Sequence, residues 1–563
     1  MYKITFFLTL ISFVSYTKIT TAQTIPRLNP PPLNPPSDIQ PLPPLENVLP
    51  TPPTETNPSS PLENIEGEII VKKFKVIGST IFSEEKFKQI LANYTNTPIT
   101  FSQLVEAQEK ITQLYVDNGY ITSGAFIPQQ TIIPDNTVVT IQVIEGKVES
   151  IEISGLHHLQ ENYVRNRLAI GAKSPLNQQK LLQSLQLLQV NPLLSQVSAK
   201  LIEGTTVGNN ILEVNAIEAK AFFAMVSYDN YRNPSVGTNR ILGQITHNNL
   251  IGWGDRFNVT YYHTDGSDSL DDLSYTLPVN AHNGTVSFAF RSSESKVIYP
   301  EIFEPFDLES NYEKYELTYR QPIYQTANQE FALGITTDWQ NSSNYLLGEP
   351  FPLSRGADAD GKTRVFAIRF FQEYNKRSLR DVFLARSQFN FGISAFGATN
   401  NNDDRPDSNF FVWRGQSQYL NLLTPDVMWL VRGDLQLANK TLLPVEQFSI
   451  GGIYTVRGYS QDALLADNGF FASTELRANI LKIPKWKTTL QLSPFFDFGT
   501  VWNNDNIPLQ KNSLASVGLG LKLLISDRFS ARIDYGIPLV NLNDDNNTLQ
   551  GDGIYFSFEL KPF

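Results

Sequence analysis

From Ala221 onward, apolar and polar side chains alternate at a spacing of two, and helical periodicity is absent. That period belongs to strands, each with one apolar and one wet face. In 487–499, Leu490, Leu492, Phe496 and Phe498 point one way, while Thr489, Gln491, Ser493 and Asp497 point the other. In 469–481, Phe470, Leu476 and Ile480 oppose Ser473, Glu475, Arg477 and Asn479. Sixteen stretches read as strands: 222–229, 240–249, 254–264, 271–278, 284–291, 314–321, 329–340, 362–373, 382–396, 409–421, 427–438, 469–481, 487–499, 514–525, 528–537 and 552–562. Connections after even-numbered strands are short, such as Ser526-Asp527. Those after odd-numbered strands are mostly longer and polar, the longest being 439–468. A soluble β-sandwich also alternates on its core face. Sixteen strands with short turns at one end and long loops at the other point instead to a transmembrane β-barrel of 16 antiparallel strands over 221–563.

The start of the chain reads as an export signal over 1–22. Lys3 supplies the positive charge, Ile4–Tyr16 the short apolar core, and Thr20-Thr21-Ala22 the small residues before a cut at Gln23. The run is too short to span a bilayer comfortably, and no other segment approaches ~18 consecutive apolar residues. Residues 23–67 follow as a proline-rich linker, PRLNPPPLNPPSDIQPLPPLENVLPTPP at its centre. Such a segment builds no core and reads as an extended, solvated spacer rather than a ligand for a proline-reading partner.

Residues 68–220 have a different grammar. Ile69–Ile77 reads as a strand ending at Gly78, and Ser83–Ala92 as a helix. Thr100 and Gln103 form a capping box opening a second helix, with Leu104, Ala107, Ile111 and Leu114 on one face. Strands at 120–128 and 137–145 complete the unit. The order β-α-α-β-β then repeats: a strand at 148–154, helices near 160–169 and 177–189, strands near 196–202 and 210–217. A repeat of roughly 75 residues predicts two small domains, 68–147 and 148–220.

Several function classes are excluded. The net charge is −11 with no block of Lys and Arg, so nucleic-acid binding has no electrostatic footprint. With no cysteine and five histidines lacking ligand spacing, no metal site is expected. There is no GxxxxGK[ST] loop for a nucleotide, no set of groups pointing to a cofactor, and no base–nucleophile constellation for an enzyme.

Several ordered motifs carry a resemblance. They are GYITSGAFIPQQ with VTIQVIEGKV, SYDNY with TNRILGQITHNNLIGWGDRFNVTYY, LLPVEQFSIGGIYTVRGY with FFASTELR, and FFDFG at Phe495–Gly499. Together they resemble the two-partner secretion transporters, the TpsB (haemolysin activation/secretion protein) branch of the BamA superfamily, over nearly everything from Glu68 on. The resemblance implies an outer-membrane β-barrel preceded by two periplasmic βααββ POTRA domains. It implies capture of an unfolded secreted partner, a TpsA-like exoprotein, and its passage through the barrel. A BamA-like insertase that assembles outer-membrane proteins is the nearest alternative, and a passive porin leaves the repeats and motifs without a use.

Strand parity puts Phe495, Asp497 and Gly499 on one face, the lumenal one. A lone carboxylate in a narrow barrel is costly, and a cation is its natural partner. Read alone, TVRGYS is an ordinary surface turn, and Asp497 facing channel water needs no partner. The resemblance implies instead that the tip of loop 439–468 lies in the lumen, where Arg457 latches onto Asp497. Val456, Gly458 and Tyr459 then support the turn and its packing, as Phe495 and Gly499 support the wall. Glu475 and Arg477 are further lumenal charges, suited to pairing across strands. Two features depart from the family pattern: no plug helix is visible before Glu68, and Phe563 is out of phase with Ile554, Phe556, Phe558 and Leu560.

Overall fold

The computed structural model describes residues 68–131, 137–401, 403–505, 509, 511–542 and 547–562; the expected export signal, the proline-rich linker and Phe563 lie outside this range. Contacts divide the chain into two units, one formed largely by residues before Ala221 and one by those from Ala221 on.

In the first repeat, Ser83 caps helix Glu84–Ile90, and the Thr100/Gln103 capping box opens helix Phe101–Asp117. That helix buries Leu104, Ala107, Ile111 and Tyr115 against a three-stranded sheet; Leu114, expected on this face, is only partly buried. The segment expected as one strand over 69–77 is two: β1 (Glu68–Ile70) and β2 (Lys73–Ile77). Val71 between them is buried in the core, and the amides of Lys72 and Lys73 both donate to the Thr137 carbonyl. This kink turns β1 away to pair with β3 (Pro98–Thr100). β4 (Gly124–Phe126) and β5 (Val138–Ile144) complete the main sheet in the order β2-β5-β4, with β2 and β5 parallel. In the second repeat, β6 (Lys147–Ser154), β7 (Leu194–Glu203) and β8 (Asn209–Glu218) form a sheet in the order β6-β8-β7. Helices Glu161–Gly171 and Gln178–Gln189 cover it with Val164, Leu168, Leu181, Leu185 and Leu188.

The second unit is a closed barrel. Its first strands are β9 (Phe222–Asp229), β10 (Arg240–Asn248), β11 (Arg256–Thr264) and β12 (Ser267–Pro278). Next come β13 (Thr285–Lys296), β14 (Leu308–Gln325) and β15 (Gln329–Leu346); β16 (Glu349–Pro350) only folds back on β15. The wall continues through β17 (Lys362–Arg377), β18 (Asp381–Ile393), β19 (Phe411–Thr424) and β20 (Val427–Ala438). After the long loop, which carries β21 (Phe448–Ile450) and β22 (Leu464–Ala466), come β23 (Asn468–Ile483), β24 (Thr488–Trp502) and β25 (Ser513–Ile525). β26 (Phe529–Pro538) and β27 (Ile554–Leu560) bring the chain round to pair antiparallel with β9. Sixteen long strands therefore form the wall, as their alternation requires.

The faces divide as expected. Phe470, Leu476, Ile480 and Phe496 are exposed on the outside, while Ser473, Glu475, Ser493 and Asp497 are buried within. Connections 326–328, 378–380, 425–426, 484–487 and 526–528 lie at one end, and 347–361, 394–410 and 439–467 at the other. One long-loop connection is wrongly expected: β11 and β12 are joined by Asp265 and Gly266 alone. β13 and β14 also run past their expected ends. In the added length the outward residues are charged or polar, with Glu294 opposite Asn311 and Lys296 opposite Glu309. Such a face does not lie in hydrocarbon, so the hairpin continues into water, where apolar alternation is no longer required.

Candidate functional site

Loop 439–467 folds into the barrel and builds a small core there. Its two-stranded ladder, β21 with β22, supplies Phe448, Ile450 and Ala466, and the chain beyond supplies Val456. These pack on Phe471, Val501 and Leu514 of the wall. Gly499 permits the approach, since a Cβ there would stand 3.0 Å from both Ile450 and Val456.

At the tip, Arg457 is 1% exposed, the largest fully buried side chain of the described residues. Its Nε donates to Asp497 Oδ2 at 2.7 Å and its Nη2 to Asp497 Oδ1 at 3.0 Å. The backbone amide of Arg457 adds a third contact to Oδ2, at 3.2 Å. A two-pronged pair of this kind fixes orientation as well as charge. Asp497 also accepts from Ser473 Oγ at 2.6 Å. The remaining prong of the guanidinium, Nη1, reaches Glu475 Oε2 at 2.8 Å and Asp534 Oδ1 at 3.4 Å. The face of the cation lies 3.4 Å over the Phe495 ring, and that ring in turn needs Gly518 opposite, where a Cβ would clash at 2.2 Å.

Glu475 and Arg477 pair along one strand, Arg477 Nε to Glu475 Oε1 at 2.6 Å, rather than across strands. Glu475 thereby belongs to the Arg457 cluster. Arg532 joins it by donating to Asp534 and lying 3.7 Å from Glu475. Three arginines (457, 477 and 532) face Asp497, Glu475 and Asp534. Each of these six groups has an opposite charge within the cluster, which offsets the cost of burial. A fourth arginine, Arg432 opposite Ser473, lies beside them and donates to the Tyr454 carbonyl at 3.3 Å. Arg532 and Asp534 are absent from the sequence-based set. They carry the same signature as Glu475 and Arg477, opposite charges two apart on a lumenal face.

Gly458 takes φ +92°, and a Cβ there would stand 3.0 Å from the Gly536 backbone. The amides of Gly458 and Tyr459 donate to the Tyr555 hydroxyl at 2.9 and 3.0 Å, and that hydroxyl donates to the Tyr459 carbonyl. Tyr459 Oη donates to the Ala515 carbonyl at 2.8 Å and accepts the Val540 amide at 3.0 Å. The tip thus reaches β24, β25, β26 and β27 at once. It also approaches the seam where β9 meets β27: the Gln461 amide donates to Gln550, and Asn233 donates to the Gln461 carbonyl.

Among the described residues no group of three or more His, Asp or Glu side chains could hold a metal ion. No helix among them is long and apolar enough to cross a membrane, which says nothing of strands. The arrangement has the parts of a mechanical contact, a loop held inside a barrel by buried charge.

Comparison with known proteins adds its own findings. The family model described as haemolysin secretion/activation protein ShlB/FhaC/HecB matches residues 208–523, and that of the ShlB-type POTRA domain matches 69–146. Among curated proteins, the outer membrane transporter CdiB of Escherichia coli O6:K15:H31 is 23% identical over 477 residues, covering 84% of this chain and 79% of that one. The heme/hemopexin transporter protein HuxB of Haemophilus influenzae strain 86-028NP is 24% identical over 497 residues, covering 82% of each. Among solved structures, CdiB from Escherichia coli superposes with a TM-score of 0.67 at 21% identity, covering 92% of this chain and 94% of that one. BamA from Haemophilus ducreyi lacking POTRA domains 1–3 gives 0.52 at 16% identity, covering 88% and 99%.

Proposed function

The chain belongs to the haemolysin secretion/activation protein family (ShlB/FhaC/HecB), and from that premise we propose that it captures an unfolded exoprotein in the periplasm and passes it through its barrel to the cell surface. It is an outer-membrane transporter of the two-partner secretion type, with its POTRA segment periplasmic. We assign 68–147 and 148–220 as the two POTRA domains. Capture uses strand addition: β7, ten residues long, lies at an edge of its sheet, and main-chain pairing asks little of a client's sequence. The chain has no nucleotide loop, so folding of the client outside supplies the direction.

The observation that carries this reading is the buried Arg457 cluster. A loop held in the lumen by paired charges is a latch, closed at rest and released for passage. A passive pore has no use for it. A BamA-like insertase remains the second reading, because the barrel superposes on BamA, though at a lower TM-score than on CdiB. Depletion separates them: loss of an insertase lowers many outer-membrane proteins, and loss of a dedicated transporter lowers one secreted protein.

Co-expression with a candidate exoprotein tests the latch. Arg457→Ala and Asp497→Ala each lower its appearance in the medium, with the barrel still assembled. Secretion at the wild-type level by both variants rejects the latch as a functional element.

A further inference from the structure

The same loop touches the wall a second time, well round the barrel from Asp497. Its rising stem carries Leu442 and Leu443, both buried against Val365, Ala367, Phe410 and Val412. Three residues on, Glu446 meets Arg369 of β17: Nη2 donates to Oε1 at 2.8 Å and Nη1 to Oε2 at 3.0 Å. Arg369 holds Asp338 of β15 in the same forked manner and also reaches Asn390 Oδ1 at 3.2 Å. Gln340 of β15 donates to the Glu446 carboxylate as well. Asp338, Gln340 and Asn390 are buried.

We propose that Glu446 is a second, independent anchor of the loop, a positioning residue that clamps the stem to Arg369 so that the lumen opens fully only when both contacts are released. This rests on the transport reading above and deepens it. The charge count gives the reason. Among the described residues, Arg369, Lys314 and Arg291 form ion pairs here with Asp338, Glu316 and Glu446. Within this set of ion pairs the loop supplies one of the three carboxylates that face three cations. When the loop leaves, Arg369 keeps its forked pair with Asp338, so no bare charge is stranded. The tip differs: without Arg457, Glu475 keeps Arg477 and Arg532 and Asp534 keeps Arg532, but Asp497 keeps only the neutral Ser473 hydroxyl. The stem clamp therefore leaves every wall cation paired when the loop departs, as a reversible contact requires, whereas the tip leaves Asp497 without a cation and is the costlier contact to release.

Beside this clamp the lumen holds a cavity of about 440 Å³, lined by Arg291, Lys314, Glu373, Arg386 and Arg414 among others. Glu446 stands on its border, so withdrawing the stem enlarges this space.

The test is single-channel recording of the full-length protein in planar bilayers, a measurement that needs no client. Glu446→Ala and Arg457→Ala each raise the frequency of large openings, and the double variant raises it by about the product of the two. Losing one charge-assisted anchor is worth about tenfold in the open population. A double variant no leakier than Arg457→Ala alone overturns the second anchor. The chain has no cysteine, so a Glu446→Cys/Gln340→Cys pair can be bridged by a short thiol-reactive linker. Bridging in the Arg457→Ala background suppresses the large openings; openings that persist after bridging also overturn the proposal. Heat-modifiable migration on gels, normal in every variant, separates release of the loop from a barrel that has not assembled. Failure of wild-type protein to secrete a client contradicts the transport reading and leaves the recordings untouched.

Discussion

Arg457 satisfies three carboxylates and an aromatic face with one planar cation. A lysine keeps the charge but not the fork or the stacking plane. Arg457→Lys therefore behaves like Arg457→Ala, lowering secretion by about tenfold for each charge-assisted bond it fails to replace. Wild-type secretion by this variant contradicts a role for the forked geometry. Gly458 is as constrained: its positive φ and the Gly536 backbone 3.0 Å from a Cβ leave no room for a side chain. Gly458→Ala costs about 1–3 kcal/mol of loop docking. The change is read as a lower temperature for loss of the compact gel form.

Among the elements, the seam between β9 and β27 is the weakest part of the wall. It has four residue pairs, against eight between β9 and β10. Asn230 extends it, accepting the Phe556 amide at 2.8 Å and donating to the Ile554 carbonyl at 2.9 Å. Asn230→Ala removes both bonds, at about 1–2 kcal/mol together, and speeds amide exchange in β27 but not in β13. In the second repeat, Glu218 at the end of β8 accepts the amides of His157, His158 and Leu159 at 2.7, 2.7 and 2.9 Å. Burial pushes its pKa up, but these three amides outweigh burial and hold it below the usual carboxylate range. A depressed pKa contributes stability that is present above the unfolded value of about 4 and lost as the pH falls through the folded one. Protection of the 157–159 amides, taken against their intrinsic exchange rate at each pH, is accordingly lost under acid in the wild type. Glu218→Gln lowers that protection already at neutral pH and shows no further step under acid.

At the scale of the whole molecule, what the sequence reveals follows from where lipid touches the chain. The sixteen wall strands are legible because hydrocarbon on one side and water on the other enforce a period of two. Where β13 and β14 leave the bilayer that demand ends, and with it the signal. The Arg457–Asp497 pair is legible only through motif resemblance, because 40 residues separate its members and nothing local links them. Arg532, Asp534 and Glu446 are harder still: each looks like an ordinary polar residue until the loop's path through the lumen is known. That path is set by apolar burial of Phe448, Ile450 and Val456, which a linear pattern does not distinguish from a surface loop. The kink at Val71 is missed for a similar reason, since the Thr137 carbonyl that bends it lies far along the chain.

The central claim is that an unfolded client travels through the lumen of this barrel. A photo-crosslinking amino acid at lumenal Gln388, compared with one at lipid-facing Phe391 on the same strand, tests it directly during secretion of a stalled client. The account predicts a client adduct at position 388 and none at 391. Adducts at 391 alone, or at neither position while secretion proceeds, contradict it.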